Sequence, residues 1–460
     1  MPIKELYEQL NNQSITSVSL VEAALALIDA HDEHYNAVAE INGDALKIAK
    51  DLDKERMASG PRSYLHGIPL LIKDNINTTD GLKTTAGSLA LADLNAPYES
   101  TLVKNLRKAG AIILGKTNLS EFAYFMHRPN MPSGYSSRRG QVKNPYGNLD
   151  PLGSSTGSAV AIACGYTHVA VGTETSGSLM APAYHTSTVA IKPTVGLISR
   201  YGIIPVSPVQ DTAGPMARTV EDAAILLEVM KGLDVDDEAT MKVPSWAINY
   251  ANAIHAPIKY KTVGFVEFEG TPLSDTDQKL KDELFEIFQK EGIHLKSLTV
   301  KRTPLDVVDS MTIEFKNGLN EYLKSVKGST AMTSLKDIIA FNLKHKETCL
   351  KYGQSLLEEA DAIKQTLKSP KYHAIREKVD AQARVFTDLY ETEKLDAIVS
   401  FEWNAYGPAL GLPSVVVPAK PLHDLKPRSM VFMGPSWSEE TLIALAYVYE
   451  QNTKRFMAPF

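Results

Sequence analysis

The sequence predicts an α/β fold, because short apolar runs alternate with amphipathic helices over much of its length. Three consecutive segments show the pattern. Residues 68–72 form an apolar run, residues 101–109 have helical spacing and precede Gly110, and residues 111–114 form a second apolar run. We therefore expect a sheet whose strands are connected by helices.

Further elements follow in the same alternation. Residues 19–22 are interpreted as a capping box that begins an amphipathic helix near the N-terminus. A helix of small residues is predicted over 158–164, and a strand over 168–171 follows it. Thr219 is predicted to cap a helix that reaches Gly232.

The second half of the chain differs in composition. Residues from about 235 to 395 are rich in Lys and Glu and are predicted to form a helical cover or insert, with one strand candidate at 262–266. Apolar runs at 395–399 and 414–417 predict late buried strands. We expect one domain over 1–460, with a core at about 67–232 and C-terminal strands and a helix at about 396–460.

Composition and charge narrow the class of protein. Of 460 residues, 44% are hydrophobic and 22% charged, which is typical of a globular enzyme. The formal net charge of -6 lacks the basic excess of a nucleic-acid-binding surface. Cys164 and Cys349 form no C-x-x-C pair, and no apolar run is long enough to span a bilayer. We expect a cytoplasmic monomer or homodimer without metal, cofactor, membrane or nucleic-acid partner.

Two short motifs lack the structural context that they require. Residues 110–117 match the G-x-x-x-x-G-K-[ST] phosphate-binding pattern, but a helix precedes them and four apolar residues fill the loop. Residues 153–157 match the G-x-S-x-G pattern with Ser155 as nucleophile, which requires a strand before the serine. A loop rich in Pro, Gly and Asn precedes it instead, at 144–151. Ser155 stays open as an alternative nucleophile.

Two serine-bearing loops and a lysine favour a third interpretation. The loops span 153–158 and 172–178, and the helix and strand between them can bring both to one end of the sheet. Lys73 ends its own apolar run and can meet them there. A serine hydroxyl needs a base to remove its proton, and a lysine becomes that base only when burial lowers its pKa. A second serine between them can relay the proton.

These segments resemble the amidase signature family. The matching blocks occur in one unbroken order over 67–232, and they comprise 67–75, 109–118, the two serine loops, 192–196 and 211–218. The resemblance implies a large mixed, twisted sheet covered by helices on both faces. It also implies a catalytic triad of Ser178 as nucleophile, Ser154 as relay after a cis peptide bond, and Lys73 as base. The oxyanion hole would be the main chain of Thr175, Ser176, Gly177 and Ser178.

Within the family, the chain is similar to the peptide amidase branch. The similarity is carried by residues 121–125, 133–141 and 144–146, and by Glu174, which replaces the usual Asp. Four residues depart from the family pattern. Leu152, Thr156 and Ser176 stand where the resemblance implies Gly, and Met180 stands where it implies Arg.

The substrate contacts expected from this resemblance are Met180, Ser155 and Tyr124. With Met180 and Ala181 after the nucleophile, the wall beside Ser178 has no cation nearby in the sequence. An unpaired carboxylate would be unfavourable against an apolar wall. We therefore expect a preference for neutral, partly hydrophobic amides, including peptide C-terminal amides and amino acid amides, over short dicarboxylic monoamides.

The expected activity is hydrolysis of a linear carboxamide to an acid and ammonia through an acyl-Ser178 intermediate. Two alternatives stay open. One is the glutaminase A subunit of a tRNA-dependent amidotransferase, which works in a complex. The other is a catalytically silent binding scaffold with the same fold. The presence of all three triad residues, Lys73, Ser154 and Ser178, argues against this scaffold.

Overall fold

The computed structural model describes residues 1–420 and 427–459. The strands are, in chain order, β1 (Val38–Ile41), β2 (Pro69–Lys73), β3 (Ile112–Thr117), β4 (Tyr135–Ser136), β5 (Gly140–Gln141), β6 (Val169–Glu174), β7 (Val189–Lys192), β8 (Thr212–Ala217), β9 (Thr262–Phe268), β10 (His294–Val300), β11 (Ala397–Ser400), β12 (Ser414–Lys420) and β13 (Arg428–Met433). Within the described residues, eleven of them form one sheet in the order β1-β3-β2-β6-β8-β7-β12-β13-β11-β9-β10, and β4 and β5 form a separate hairpin.

The helices cover the sheet and extend beyond it. They are α1 (Ile3–Asn11), α2 (Ser17–Tyr35), α3 (Ala45–Ser59), α4 (Thr101–Lys108), α5 (Glu121–Tyr124), α6 (Thr156–Ala163), α7 (Met180–His185), α8 (Val220–Met230), α9 (Asp275–Lys290), α10 (Val307–Ser325), α11 (Leu335–Lys344), α12 (Lys346–Cys349), α13 (Ser355–Ala362), α14 (Pro370–Ala383), α15 (Val385–Thr392), α16 (Tyr406–Ala409) and α17 (Glu439–Thr453). Short 3-10 helices lie at Leu89–Leu91, Glu238–Lys242 and Tyr250–His255.

The strand β2 shows why the sheet is covered on both faces. Its side chains alternate, so Leu70 and Ile72 pack in one hydrophobic core and Leu71 packs in the other. The first core includes residues of α4, α8, α9 and α17, and the second includes residues of α2, α3, α6 and α7. The predicted α/β fold, with a large mixed sheet between two layers of helices, is confirmed.

Three neighbouring strands, β3, β2 and β6, run parallel inside the antiparallel edge strand β1. The strand β2 pairs in parallel with β3 on one edge and with β6 on the other, so all three end at the same side of the molecule. The strand β8 then pairs antiparallel with β6. This arrangement places the residues that follow β2 and β6 next to each other.

The predicted helical insert at about 235–395 is partly wrong. Residues 262–300 form a unit of β9, α9 and β10 that adds two parallel strands to the main sheet. The strand candidate at 262–266 is confirmed, but β10 was missed, because most of its side chains are exposed at the edge of the sheet and polar. Helices α10 to α15 form the cover, and α10, α11, α13 and α14 share a third hydrophobic core.

Other boundaries also differ from the predictions. Helix α2 begins three residues early, because its N-cap is Thr16 and not Ser19, and Thr16 Oγ1 accepts a hydrogen bond from the N–H of Ser19. Short strands at β1, β7, β8 and β13 were not predicted as strands. The assignment of the whole chain to one domain stays a prediction.

Candidate active site

The two serine loops and Lys73 lie at the same end of the sheet. Lys73 is the last residue of β2, and the loop that contains Ser178 follows the parallel neighbour β6. The other loop, which contains Ser154, leads into α6. The main-chain N–H of Ser155 donates to the carbonyl oxygen of Ser178 over 3.1 Å, so the loops are joined directly.

Lys73 is fully buried and lies among hydroxyl groups. Its Nζ is 2.8 Å from Ser154 Oγ, 3.0 Å from Ser155 Oγ and 2.9 Å from Thr173 Oγ1. Burial lowers the pKa of Lys73 to about 7, and the negative charges of Asp211 and Glu174 partly oppose that shift. A substantial fraction of this lysine is therefore neutral near pH 7.

The hydroxyl groups of Ser154 and Ser155 differ in whether their proton is already held in a hydrogen bond. Ser155 Oγ donates to the carbonyl oxygen of Thr173 over 2.8 Å and accepts from the N–H of the same residue over 3.0 Å. Its proton is thus already engaged. Within the described ranges, Ser154 Oγ has a hydrogen bond only to Lys73 Nζ. A neutral Lys73 can therefore accept the proton of Ser154.

The peptide bond between Gly153 and Ser154 is cis, as the resemblance implied. The carbonyl oxygen of Ser154 accepts a hydrogen bond from the N–H of Ser120 over 3.1 Å. Ser178 is 8% exposed and lines a cavity of about 270 Å³, here called the Ser178 cavity. No hydrogen bond joins Ser154 Oγ to Ser178 Oγ in the described part of the chain. Catalytic hydrogen bonds often form only when substrate is bound.

The loop before Ser178 is fixed from both sides. Glu174 is buried, and its Oε2 accepts the N–H groups of Leu179 over 2.7 Å and Met180 over 3.0 Å. Thr175 Oγ1 donates to the half-buried carboxylate of Asp211 over 2.5 Å. For the part of the chain that is described, the N–H groups of Ser176, Gly177 and Ser178 have no main-chain or side-chain acceptor. They are available to stabilise an oxyanion.

The position of Gly177 requires a residue that adopts a positive φ and has no side chain. Its φ is +103°, and an added Cβ would lie 2.5 Å from the Trp403 ring. Trp403 therefore packs directly on the loop that lines the Ser178 cavity with Thr175, Ser176 and Ser178. No pattern in the sequence connects this tryptophan with the serine loops.

The variant Gly177→Ala is expected to lower kcat at least about tenfold, because loss of oxyanion-hole geometry weakens transition-state stabilisation. The matched control is Gly147→Ala. Gly147 has a similar φ of +107°, but an added Cβ there meets no atom within 4 Å. Both variants carry the same backbone strain, so equal loss of kcat in steady-state assays would contradict a specific role for the Gly177 contact.

The structure separates the three predicted substrate contacts. Tyr124 lines the Ser178 cavity, as expected. Met180 does not, because its side chain packs in the hydrophobic core below, and its neighbour Ala181 lines the cavity instead. Ser155 is also absent from the lining and lies buried against Lys73. Met180 and Ser155 therefore do not line this cavity, and their contact with the substrate stays a prediction.

Other walls of the Ser178 cavity come from distant segments. Val307 and Met311 belong to α10, and Trp403 follows β11. Leu152 has a φ of +53° and also lines the cavity. Of the described residues in this lining, Arg128 alone is charged. The expectation concerned only cations near Ser178 in the sequence, whereas Arg128 is distant in sequence and reaches the cavity through the fold.

A second cavity of about 200 Å³ lies on the other side of Thr175, here called the Asp211 cavity. It shares Ala123 and Thr175 with the Ser178 cavity. Burial raises the pKa of Asp211. Sequence block 211–218 was recognised, but a contact of Asp211 with the serine loop could not be predicted from it.

The structure places the two short motifs that lacked their required context. The phosphate-binding pattern at 110–117 falls largely in β3, an interior strand, and Lys116 is fully buried. Its Nζ donates to the carbonyl oxygen of Ile76 over 2.6 Å and to Thr84 Oγ1 over 3.1 Å. The pattern therefore forms no phosphate-binding loop, as predicted. Ser155 follows a loop and not a strand.

Comparisons with known proteins agree with this geometry. A model of the amidase family matches residues 19–443. The chain belongs to the amidase signature family. It is therefore a hydrolase that acts on carbon-nitrogen bonds in linear amides, as predicted.

The amidase is similar to several known proteins. The structure of a native peptide amidase from Stenotrophomonas maltophilia is 38% identical, with a TM-score of 0.93, over 100% of this chain and 98% of that one. A probable amidase of Arabidopsis thaliana is 36% identical over 98% of this chain and 90% of its own length. The A subunit of the glutamyl-tRNA(Gln) amidotransferase from Sinorhizobium medicae is 32% identical over 99% of this chain and 98% of its own length.

Two kinds of feature are absent from the described residues. Residues 1–420 and 427–459 contain no helix long and apolar enough to cross a membrane. The same residues contain no group of three or more His, Cys, Asp or Glu side chains arranged to hold a metal ion.

Proposed function

We propose that the amidase cleaves a primary carboxamide through an acyl-Ser178 intermediate, with Ser154 as relay and Lys73 as base. The observation that carries the proposal is the buried Lys73 amine, with its lowered pKa, at 2.8 Å from Ser154 Oγ. Ser178 lies in the loop that is bonded to Ser155 and opens into the adjacent cavity. A nucleophile, a proton relay and a base are the parts that acyl transfer requires.

In the first half-reaction, neutral Lys73 takes a proton from Ser154 while Ser154 takes the proton of Ser178. Ser178 Oγ attacks the carbonyl carbon, and the N–H groups of the 175–178 loop stabilise the oxyanion. The proton then returns through Ser154 to the amide nitrogen, the C–N bond breaks, and ammonia leaves. Lys73 ends this half-reaction neutral, and Ser178 carries the acyl group.

In the second half-reaction, water attacks the ester. The same relay removes its proton and returns that proton to Ser178 Oγ as the ester bond breaks. The carboxylic acid leaves, and every group is restored to its starting state. No step requires a histidine.

The proposed substrates are C-terminal amides of peptides and amino acid amides. The likeness to the Stenotrophomonas peptide amidase supports this class. So does the apolar lining of the Ser178 cavity by residues such as Leu152, Met311 and Trp403. We further propose that the enzyme works in the cytoplasm as a monomer or homodimer, without a nucleic-acid partner.

A second candidate function is that of the glutaminase component of a tRNA-dependent amidotransferase. The match to the amidotransferase A subunit of Sinorhizobium medicae over nearly the whole chain favours it. The peptide amidase match is closer in sequence and covers the chain equally well, which supports a free-standing enzyme. A silent scaffold is disfavoured because Lys73, Ser154 and the Ser178 loop are assembled in contact.

An ammonia-release screen over aliphatic, aromatic and peptide amides tests the proposed function. We expect turnover of peptide C-terminal amides by the isolated chain, and none by its Ser178→Ala variant. Release of ammonia from glutamine alone, and only with copurified partner proteins, would favour the amidotransferase. Absence of turnover and of serine acylation by any probe would favour the scaffold.

The rate is expected to depend on pH through Lys73. Its pKa is lowered to about 7, and only the neutral amine accepts a proton, so kcat should fall as pH decreases through about 7. On the alkaline side kcat should reach a plateau. Steady-state kinetics from about pH 5 to 9, with circular dichroism to confirm folding, test this. A flat profile, or a decline above about pH 7, would contradict Lys73 as the base.

A further inference from the structure

The Ser178 cavity has one free charge among its described lining residues, and it is positive. Arg128 lines the cavity and is exposed, while Ser178 is deeply placed. The remaining described lining is neutral, and much of it is apolar, including Phe125, Val307 and Trp403. Arg128 therefore lies at the outer part of a pocket whose inner part holds the proposed nucleophile.

The main chain of Arg128 is held in place by the start of α13. Its N–H donates to Ser355 Oγ over 3.1 Å, and Ser355 Oγ donates to the carbonyl oxygen of Arg128 over 2.9 Å. The N–H of Ser355 also donates to Nδ1 of His127 over 3.2 Å. These bonds fix the point from which the guanidinium projects.

The guanidinium itself has no carboxylate or other hydrogen-bond acceptor among the described residues. Other arginines near the site are paired. Arg138 contacts Glu40 and Asp74, and Arg200 contacts Asp237. The carboxylate partners of Arg138 therefore occupy its guanidinium. An unpaired guanidinium can bind a carboxylate through two parallel hydrogen bonds.

The Asp211 cavity has the opposite charge. Asp211, Asp236 and Asp237 line it, together with Arg200, which is paired with Asp237. A carboxylate would be repelled there and attracted to Arg128. The charge distribution thus directs an anionic group of the substrate to the Ser178 cavity.

We propose that Arg128 selects amides whose acyl part carries a carboxylate at its outer end. This inference rests on the proposed function, in which ammonia is the leaving group, so every other substrate atom belongs to the acyl part. Because Arg128 lies outward of Ser178, the carboxylate is separated from the scissile carbonyl by an apolar portion. An acidic residue before an amidated hydrophobic residue fits this pattern. The expected preference for a neutral substrate then applies only to the residue next to the scissile bond.

The test compares kcat/KM for three peptide amides, N-acetyl-Glu-Leu-amide, N-acetyl-Gln-Leu-amide and N-acetyl-Lys-Leu-amide. For the wild type at low ionic strength, we expect the Glu substrate to exceed the Gln substrate by about three- to tenfold, the range of a partly exposed charge-assisted contact. The difference should lie mainly in KM, because a remote contact is made equally in ground and transition states.

Variants of Arg128 should change the order of substrates. Arg128→Gln should bring the Glu to Gln ratio to about one, and Arg128→Glu should make the Lys substrate the best, by simple charge reversal. The matched control is Arg139→Gln, since Arg139 lies on a nearby segment but does not line the cavity. In this control, the ratio of kcat/KM for the Glu substrate to kcat/KM for the Gln substrate should equal the wild-type ratio.

Two results would overturn the assignment. One is an unchanged order of substrates in Arg128→Glu. The other is a wild-type Glu to Gln ratio that is insensitive to about 0.5 M NaCl, because salt at that concentration screens exposed charges. Failure of the proposed function would look different, since all three amides would then be inert to the wild type.

Discussion

Replacing Ser178 with alanine is expected to abolish turnover. Removal of a catalytic nucleophile typically lowers kcat by more than about a thousandfold, because no other group can form the acyl intermediate. Ser178 opens into the cavity, and its neighbour Ser155 has a proton engaged with Thr173. Ammonia release from a peptide amide measures the loss, and circular dichroism checks the fold.

The matched control is Ser176→Ala, which removes a hydroxyl from the same loop and the same cavity. It should keep kcat within a fewfold of the wild type. A serine-reactive phosphonate should add its mass to the peptide that contains Ser178 in both the wild type and this control. Labelling of Ser155 instead, with activity lost in Ser155→Ala and kept in Ser178→Ala, would establish the alternative nucleophile.

Replacing Lys73 with methionine is expected to lower kcat by about two orders of magnitude or more, as loss of a general base does. Methionine keeps most of the buried volume but cannot accept the proton of Ser154. The inflection of kcat near about pH 7 should disappear with the amine. Stopped assays of ammonia release across the pH range measure both effects.

Lys116→Met is the matched control, because Lys116 is a buried lysine on the adjacent strand, paired in register with Ile72. It loses two hydrogen bonds and should cost about 1–3 kcal/mol of stability, with kcat retained at low temperature. Equal loss of kcat in the two lysine variants would assign the effect to destabilisation of the sheet.

A combined variant tests whether Lys73 and Ser154 act as one unit. Ser154→Ala is also expected to lower kcat by about a hundredfold or more, by interrupting the relay. The double variant Lys73→Met with Ser154→Ala should then be little worse than either single variant, since both remove the same proton path. Additive losses would contradict a shared path.

The catalytic residues could be predicted from the sequence because they lie in short local patterns. Lys73 at the end of an apolar run, and the two glycine-rich serine loops, were identified before their contact could be seen. The contact follows from parallel strands β2 and β6, which end at one side of the sheet. The amidase family match over 19–443 confirms the resemblance that these patterns indicated.

The cavity walls could not be predicted in the same way. Met180 was assigned to the wall because of its distance along the chain from Ser178, but α7 turns its side chain into the core. Arg128 and Trp403 reach the cavity only through tertiary packing, the first by its bonds to Ser355 and the second by its contact with Gly177. Sequence spacing contains no information on such contacts.

Strand β10 was missed for a related reason. Its side chains are mostly exposed at the edge of the sheet, so the apolar alternation that marks a strand is weak. Its partner β9 is more deeply buried, and most of that strand was recognised. The amino-acid composition of this region favours helices, but residues 294–300 form a strand because they pair with β9.

Some walls of the Ser178 cavity come from a part of the chain that contains none of its reactive groups. Lys73, Ser154 and Ser178 all precede β7, whereas Val307, Met311 and Trp403 belong to α10 and the segment after β11. Natural variation in the second part can therefore change which amide is accepted while the proton path stays intact. Homologous exchange of α10 between relatives, with Trp403 kept on Gly177, would create new selectivity on one unaltered reaction centre.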